Sequence, residues 1–168
     1  MSSRSTPRPW DCRPSPPAAL ALDPLNDGVR RNVVLTLTRT GHFAEALAVA
    51  ARDSDSSSRM MSRRAIALVA LGRRDSVERM ARRFRETART PVDWYAVAFV
   101  EVALGNLDCA LAAFERIGGA PSAAPEWKPL ARDPRFLPLC RRRDDEATCA
   151  RRVREIEALP DIPLPSAR

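Results

Sequence analysis

Thr90-Pro91-Val92-Asp93-Trp94-Tyr95-Ala96-Val97-Ala98-Phe99-Val100-Glu101-Val102-Ala103-Leu104-Gly105 carries the start, the apolar face and the end of one helix in a single unbroken stretch. Thr90 offers an N-cap hydroxyl, and Pro91 stands at the first helical position, where its missing N–H is no loss. Asp93 sets a carboxylate against the positive end of the helix dipole. Trp94, Val97, Ala98 and Val102 fall on one helical face. Gly105 supplies a residue that tolerates positive φ, which is how many helices stop. Two earlier segments close the same way, Leu37-Thr38-Arg39-Thr40-Gly41 and Leu68-Val69-Ala70-Leu71-Gly72. Five residues beyond each glycine stands a small or β-branched residue, Ala46, Val77 or Ala110, which lets two helices approach closely. The glycines lie 31 and 33 residues apart, the period of a helical-hairpin solenoid.

Helical spacing extends through the surrounding chain. Val29, Val33 and Leu37 form one stripe, and Phe43, Ala46, Leu47 and Ala50 a second. Met61, Ala65, Leu68 and Leu71 form a third, ahead of Gly72. Asp75 and Glu78 have capping-box spacing and precede Val77, Met80, Ala81 and Phe84. Leu107, Ala110, Leu111, Phe114 and Ile117 run up to Gly118-Gly119. Aromatic residues make up only 5% of the chain, while Ala, Leu and Val abound. That composition favours closely packed helices over a β-sandwich.

The unit from Trp94-Tyr95 through Ala98 and Gly105-Asn106-Leu107-Asp108 to Ala110 and Phe114 resembles the tetratricopeptide repeat (TPR) family. Gly41-His42-Phe43-Ala44-Glu45-Ala46-Leu47 resembles it too. The middle unit departs, with Asp75 and Val77 where the family carries an aromatic and an alanine. The resemblance covers about residues 29–140. It implies an all-α fold in which tandem antiparallel helical hairpins form a short right-handed solenoid with a C-terminal cap. A cap is physically expected, because a solenoid end otherwise exposes its core. Glu126-Trp127-Lys128-Pro129-Leu130 and Arg132-Asp133-Pro134-Arg135-Phe136-Leu137-Pro138-Leu139 fit that role. Asp133 is expected to cap a short helix from Pro134, with Phe136 and Leu139 facing the last hairpin.

The chain therefore divides into a disordered Pro/Arg-rich tail (1–27), three hairpins plus cap (28–140), a C-terminal helix (141–159) and a disordered tail (160–168). Six prolines, Pro7, Pro9, Pro14, Pro16, Pro17 and Pro24, oppose helix in the first segment. Trp10 is a stray aromatic there. In the C-terminal helix Val153 and Ile156 face inward, and Pro160, Pro163 and Pro165 end the order.

No constellation for catalysis is present. His42 is the only histidine and lies in a turn. Gly118-Gly119 is followed by Ala120-Pro121 rather than by a lysine and a hydroxyl, so it is no phosphate-cradling loop. Asp144-Asp145-Glu146 suit a helix start. Cys12, Cys109, Cys140 and Cys149 show no CxxC pairing and no export signal, and read as reduced cytosolic thiols. No metal or cofactor is expected. No apolar run approaches the roughly 20 residues that span a bilayer, so the expected setting is cytoplasmic, without a membrane partner.

The net charge is +7, and Lys128 is the only lysine. Heavy arginine use of this kind also follows from a GC-rich genome. Arg79, Arg82, Arg83 and Arg89 can share the outer face of one helix, as a solvated face or as an anion-binding stripe. The stripe has no interleaved aromatics to stack bases, which disfavours nucleic acid. Residues 92–115 read as net acidic through Asp93, Glu101, Asp108 and Glu115. The family resemblance implies that the first helix of each hairpin lines a concave surface. Arg31, Leu35, Arg59, Arg63, Ile66, Tyr95 and Phe99 would contribute, apolar in the middle with arginines toward one end. Ile66 and Phe99 could equally be core between hairpins. The expected function is a non-catalytic adaptor for a protein or peptide, with an acidic element favoured. A nucleic-acid or phosphate binder and a structural subunit of a larger assembly are the alternatives.

Overall fold

The computed structural model describes residues 27–51 and 62–163, and among these it is all-helical without strands. The helices are α1 (Asp27–Arg39), α2 (Phe43–Ala51), α3 (Ala65–Ala70), α4 (Arg74–Thr87), α5 (Pro91–Leu104) and α6 (Leu107–Ile117). A 3-10 turn at Pro125–Trp127 leads into α7 (Lys128–Ala131), α8 (Phe136–Cys140) and α9 (Glu146–Ala158). Residues 1–26 of the expected tail (1–27), the polar loop at 53–58, Arg59, Met61 and residues 164–168 lie outside the described residues, while Asp27, expected in that tail, begins α1.

Gly41, Gly72 and Gly105 all adopt left-handed φ, at 82°, 74° and 80°. Each corner repeats one hydrogen-bond pattern. The amide after the glycine donates to the carbonyl five residues back: His42 to Leu37, Arg73 to Leu68 and Asn106 to Glu101, each at 2.8 Å. The glycine amide donates three residues back, to Thr38, Val69 and Val102. This is the paired bonding that satisfies the orphan carbonyls of a helix end. Ala46, Val77 and Ala110 are each completely buried. The corners are equivalent, as their spacing predicts.

α1 packs on α2, α3 on α4 and α5 on α6, while α4 also lies against α5, and α3 touches both α2 and α5. α5 is the central element, buried without interruption from Ala96 to Val102. Its start bears out the sequence reading: Thr90 and Asp93 form a reciprocal capping box. The 3-10 turn lies against α5, and α7 and α8 pack on α6. Trp127, Leu130 and Phe136 are entirely buried there, with Leu139 nearly so. α9 crosses this region and buries Ile156, with Val153 packed beside the core.

Several local expectations are corrected. Asp75 and Glu78 form no capping box: α4 begins at Arg74, so Asp75 already lies in its first turn and Glu78 pairs with Arg74 at 3.2 Å. Leu71 is 44% exposed, because it sits at the corner where the apolar face of α3 has ended. Asp133 does not cap a helix from Pro134. It accepts the Arg135 amide at 2.9 Å, and α8 starts at Phe136. Glu101 belongs to no acidic surface: its side chain is fully buried, held by the Arg85 guanidinium and by Asn106 Nδ2 at 2.9 Å. Residues 160–163, expected to be disordered, run extended from the end of α9 in contact with the body of the fold.

Candidate functional site

A cavity of about 650 Å³ opens between α1, the start of the third helical segment at Ser62–Arg63, α5 and residues 122–127. Of the seven residues that the resemblance assigns to a concave surface, Arg31, Leu35, Arg63, Tyr95 and Phe99 line it. Ile66 is buried and lines a separate groove, and Arg59 lies outside the described residues. The floor is aromatic. Trp127 is completely buried, with Tyr95, Phe99 and Phe114 packed edge-on around it at ring-centre distances of 5.3, 5.5 and 5.2 Å.

Three guanidinium groups, Arg31, Arg39 and Arg63, and one carboxylate, Glu126, border this floor. Glu126 is already engaged. Its buried oxygens accept Arg39 Nε at 2.7 Å and a terminal Arg39 nitrogen at 3.0 Å, the bidentate geometry of a strong pair. Among the described residues Arg31 and Arg63, which also border the cavity, form no ion pair of their own. Burial pushes the Arg63 guanidinium below its ordinary range, opposed by Tyr95 and Glu126. Its Nε is buried without a hydrogen-bond partner among the described residues. Burial likewise pushes the Tyr95 phenol up. A desolvated cation with an unfilled donor favours an incoming anion.

Arg39, Asn32, Glu126 and Trp127 also line the cavity, beyond the residues to which the sequence points. For Arg39 a signal existed, because Arg31, Leu35 and Arg39 recur every four residues on α1. Trp127 belongs by sequence to the cap alone, and in the fold it also lines the cavity.

Arg79, Arg82, Arg83 and Arg89 are all exposed on or just beyond α4. Arg79 bonds Ser76 at 3.2 Å, and Arg89 bonds the carbonyls of Glu86 and Ala88. They lie away from the cavity and none lines it. His42 is exposed, its Nδ1 3.0 Å from the Thr40 hydroxyl. Asp145 is the N-cap of α9, where the amide and hydroxyl of Thr148 hold its carboxyl below the usual range.

The reduced-thiol expectation is corrected for one pair: Cys140 and Cys149 form a disulfide with Cα atoms 5.8 Å apart. Nothing in a spacing of nine residues reveals this. The turn between α8 and α9 brings both buried sulfurs together. Cys109 is free and exposed. Asp144 joins the two sulfurs within 4.8 Å, a group that the sequence did not suggest. The Arg152 guanidinium already occupies that spot, 2.5 Å from Asp144 and 3.5 Å from the Cys140 sulfur. Cys149→Ala is expected to lower stability by about 2–3 kcal/mol, from loop-closure entropy over so short a loop. Urea unfolding with and without reductant checks this, since the loss should shrink once the wild type is reduced.

No family model, curated protein or solved structure matches this chain. Among the described residues no helix is long and apolar enough to cross a membrane.

Proposed function

We propose that this chain is a non-catalytic interaction module whose arginine-rimmed, aromatic-floored cavity receives an acidic segment of a protein or peptide. In this reading α1–α2, α3–α4 and α5–α6 are three TPR-like antiparallel hairpins in a short right-handed solenoid, closed by the segment 125–140. The equivalence of the three glycine corners supports the repeat. The observation that carries the function is the convergence of Arg31, Arg39 and Arg63 on one cavity where, among the described residues, the single carboxylate is already paired. Aromatic floor and cationic rim together suit a short peptide that presents an apolar residue beside an acidic one. The cytoplasmic setting is part of this proposal and rests on the sequence. The Cys140–Cys149 bond pulls the other way, since disulfides persist mainly in oxidising compartments.

Selection of a random peptide library on the full chain tests it. Enriched peptides should carry Asp or Glu next to an aliphatic or aromatic residue. Tyr95→Ala combined with Arg63→Glu should weaken the selected peptides at least tenfold. Enrichment of peptides without acidic residues, or undiminished binding by the double variant, would defeat the proposal.

A second reading has one observation in its favour: all four arginines of the α4 stripe are exposed. On that reading the chain binds nucleic acid or another polyphosphate through α4. Its affinity for a labelled single-stranded RNA would then fall steeply between low and moderate salt. A flat salt response would eliminate it.

A further inference from the structure

Beyond α9 the chain continues as Leu159-Pro160-Asp161-Ile162-Pro163. Leu159 has φ −68° and ψ 152°, an extended, polyproline-like backbone, and the two prolines hold φ near the same value. This segment runs along a groove separate from the arginine-rimmed cavity. The groove leaves about 290 Å³ open, walled on one side by Ile66, Val69, Val102 and Ala103 and on the other by Asp161 and Ile162 of the segment itself.

Three contacts seat the segment. Asp161 Oδ1 accepts a hydrogen bond from Lys128 Nζ at 2.8 Å. Ile162 packs, half-buried, against the core. Pro163 lies so close to the first corner that a Cβ on Gly41 would come within 3.0 Å of its ring.

Lys128 decides what the groove needs. Its side chain is 8% exposed, whereas that of Asp161 is 76% exposed. The cation is sunk into the body of the fold, and its one ion-pair partner among the described residues comes from the tail. A buried ammonium without a counter-charge is costly, so a vacated groove would draw in another carboxylate. The tail itself is held by little: one ion pair, one half-buried isoleucine and proline contacts, with no helix or strand bonding. An extended peptide supplied from elsewhere could reproduce every one of these contacts.

We propose that the seat beside Lys128 along this groove is a binding site for an extended peptide in which an acidic residue precedes a branched aliphatic one, and that residues 159–163 occupy that seat in cis, forming one wall of the groove, as a displaceable competitor. A tethered segment competes at an effective concentration on the order of millimolar, so binding in trans is strongly attenuated while the tail is seated. The site shares only the Glu126 wall with the cavity above and does not depend on that cavity binding anything.

The test uses a fluorescently labelled peptide of residues 157–163 and the full chain, read by anisotropy. The tail variant Asp161→Asn/Ile162→Ser should bind this peptide at least tenfold more tightly than the wild type does. Adding Lys128→Met to the tail variant should remove at least tenfold of that affinity. Placing Asn at the aspartate of the peptide should cause a similar loss, and this arm needs no change to the protein's core. Tyr95→Ala/Arg63→Glu, the pair that tests the first cavity, should leave the affinity within twofold. Equal affinity for wild type and tail variant, or indifference to the loss of the peptide's carboxylate, overturns the proposal. So does a wild-type dimer in sedimentation velocity that the tail variant abolishes, since it would assign the groove to the tail of a second copy.

Discussion

Trp127→Ala is expected to lower the free energy of unfolding by about 3–5 kcal/mol, the cost of deleting a large buried aromatic. The expectation follows from position. Trp127 is completely buried, and three aromatic rings from α5 and α6 surround it edge-on. The segment that carries it enters the core between the third helix pair and α9, so the loss is a cavity lined by rigid rings that cannot collapse easily. Edge-to-face pairs add to the area term. Urea unfolding followed by far-UV circular dichroism measures the effect, and Trp127→Phe should recover roughly half of it. A loss below about 1 kcal/mol would mean that the cap lies loosely on α5 and α6 rather than completing their core.

Arg85→Met is expected to cost about 3 kcal/mol, although Arg85 is a surface arginine by sequence. The reason lies across the interface with α5, where the Glu101 carboxylate has no access to water and relies on Arg85 and on the Asn106 amide. Removing the guanidinium leaves a buried anion with one neutral donor, and breaking such a pair from one side is the expensive direction. Removing both charges is not. The double variant Arg85→Met/Glu101→Met should therefore recover most of the loss, and a double-mutant cycle from urea unfolding reads the coupling directly. Additive single effects would show that Glu101 finds its compensation elsewhere.

These two positions also show what a sequence can carry and what it cannot. The corners at Gly41, Gly72 and Gly105 were legible because positive φ and close helix approach are demands placed on single residues at fixed spacing. The cap of α5 was legible for the same reason, since Thr90 and Asp93 act within one turn. Arg31, Leu35, Arg63, Tyr95 and Phe99 could be named together through the family resemblance, and they do line one cavity. What failed depended on contacts distant in sequence. Glu101 looked like part of an acidic surface, because nothing local reveals that Arg85 reaches it from α4. Asp75 and Glu78 had capping-box spacing, yet α4 begins at the residue before Asp75, and spacing cannot fix a helix start to within one residue. The Cys140–Cys149 bond needs the reversal between α8 and α9. Lys128 and Asp161 are 33 residues apart, and only the folded chain reveals that the lone lysine is sunk and that the tail answers it.

The most direct measurement of the central claim is a titration of the ¹⁵N-labelled full chain with the acidic peptide enriched in the library selection, followed by resonance shifts. Binding in the arginine-rimmed cavity predicts that the Trp127 indole N–H and the backbone amides around Arg31, Arg63 and Tyr95 move together and saturate at one peptide per chain. Shifts confined to the α4 face around Arg79, Arg82, Arg83 and Arg89, with the Trp127 indole unmoved, would contradict it.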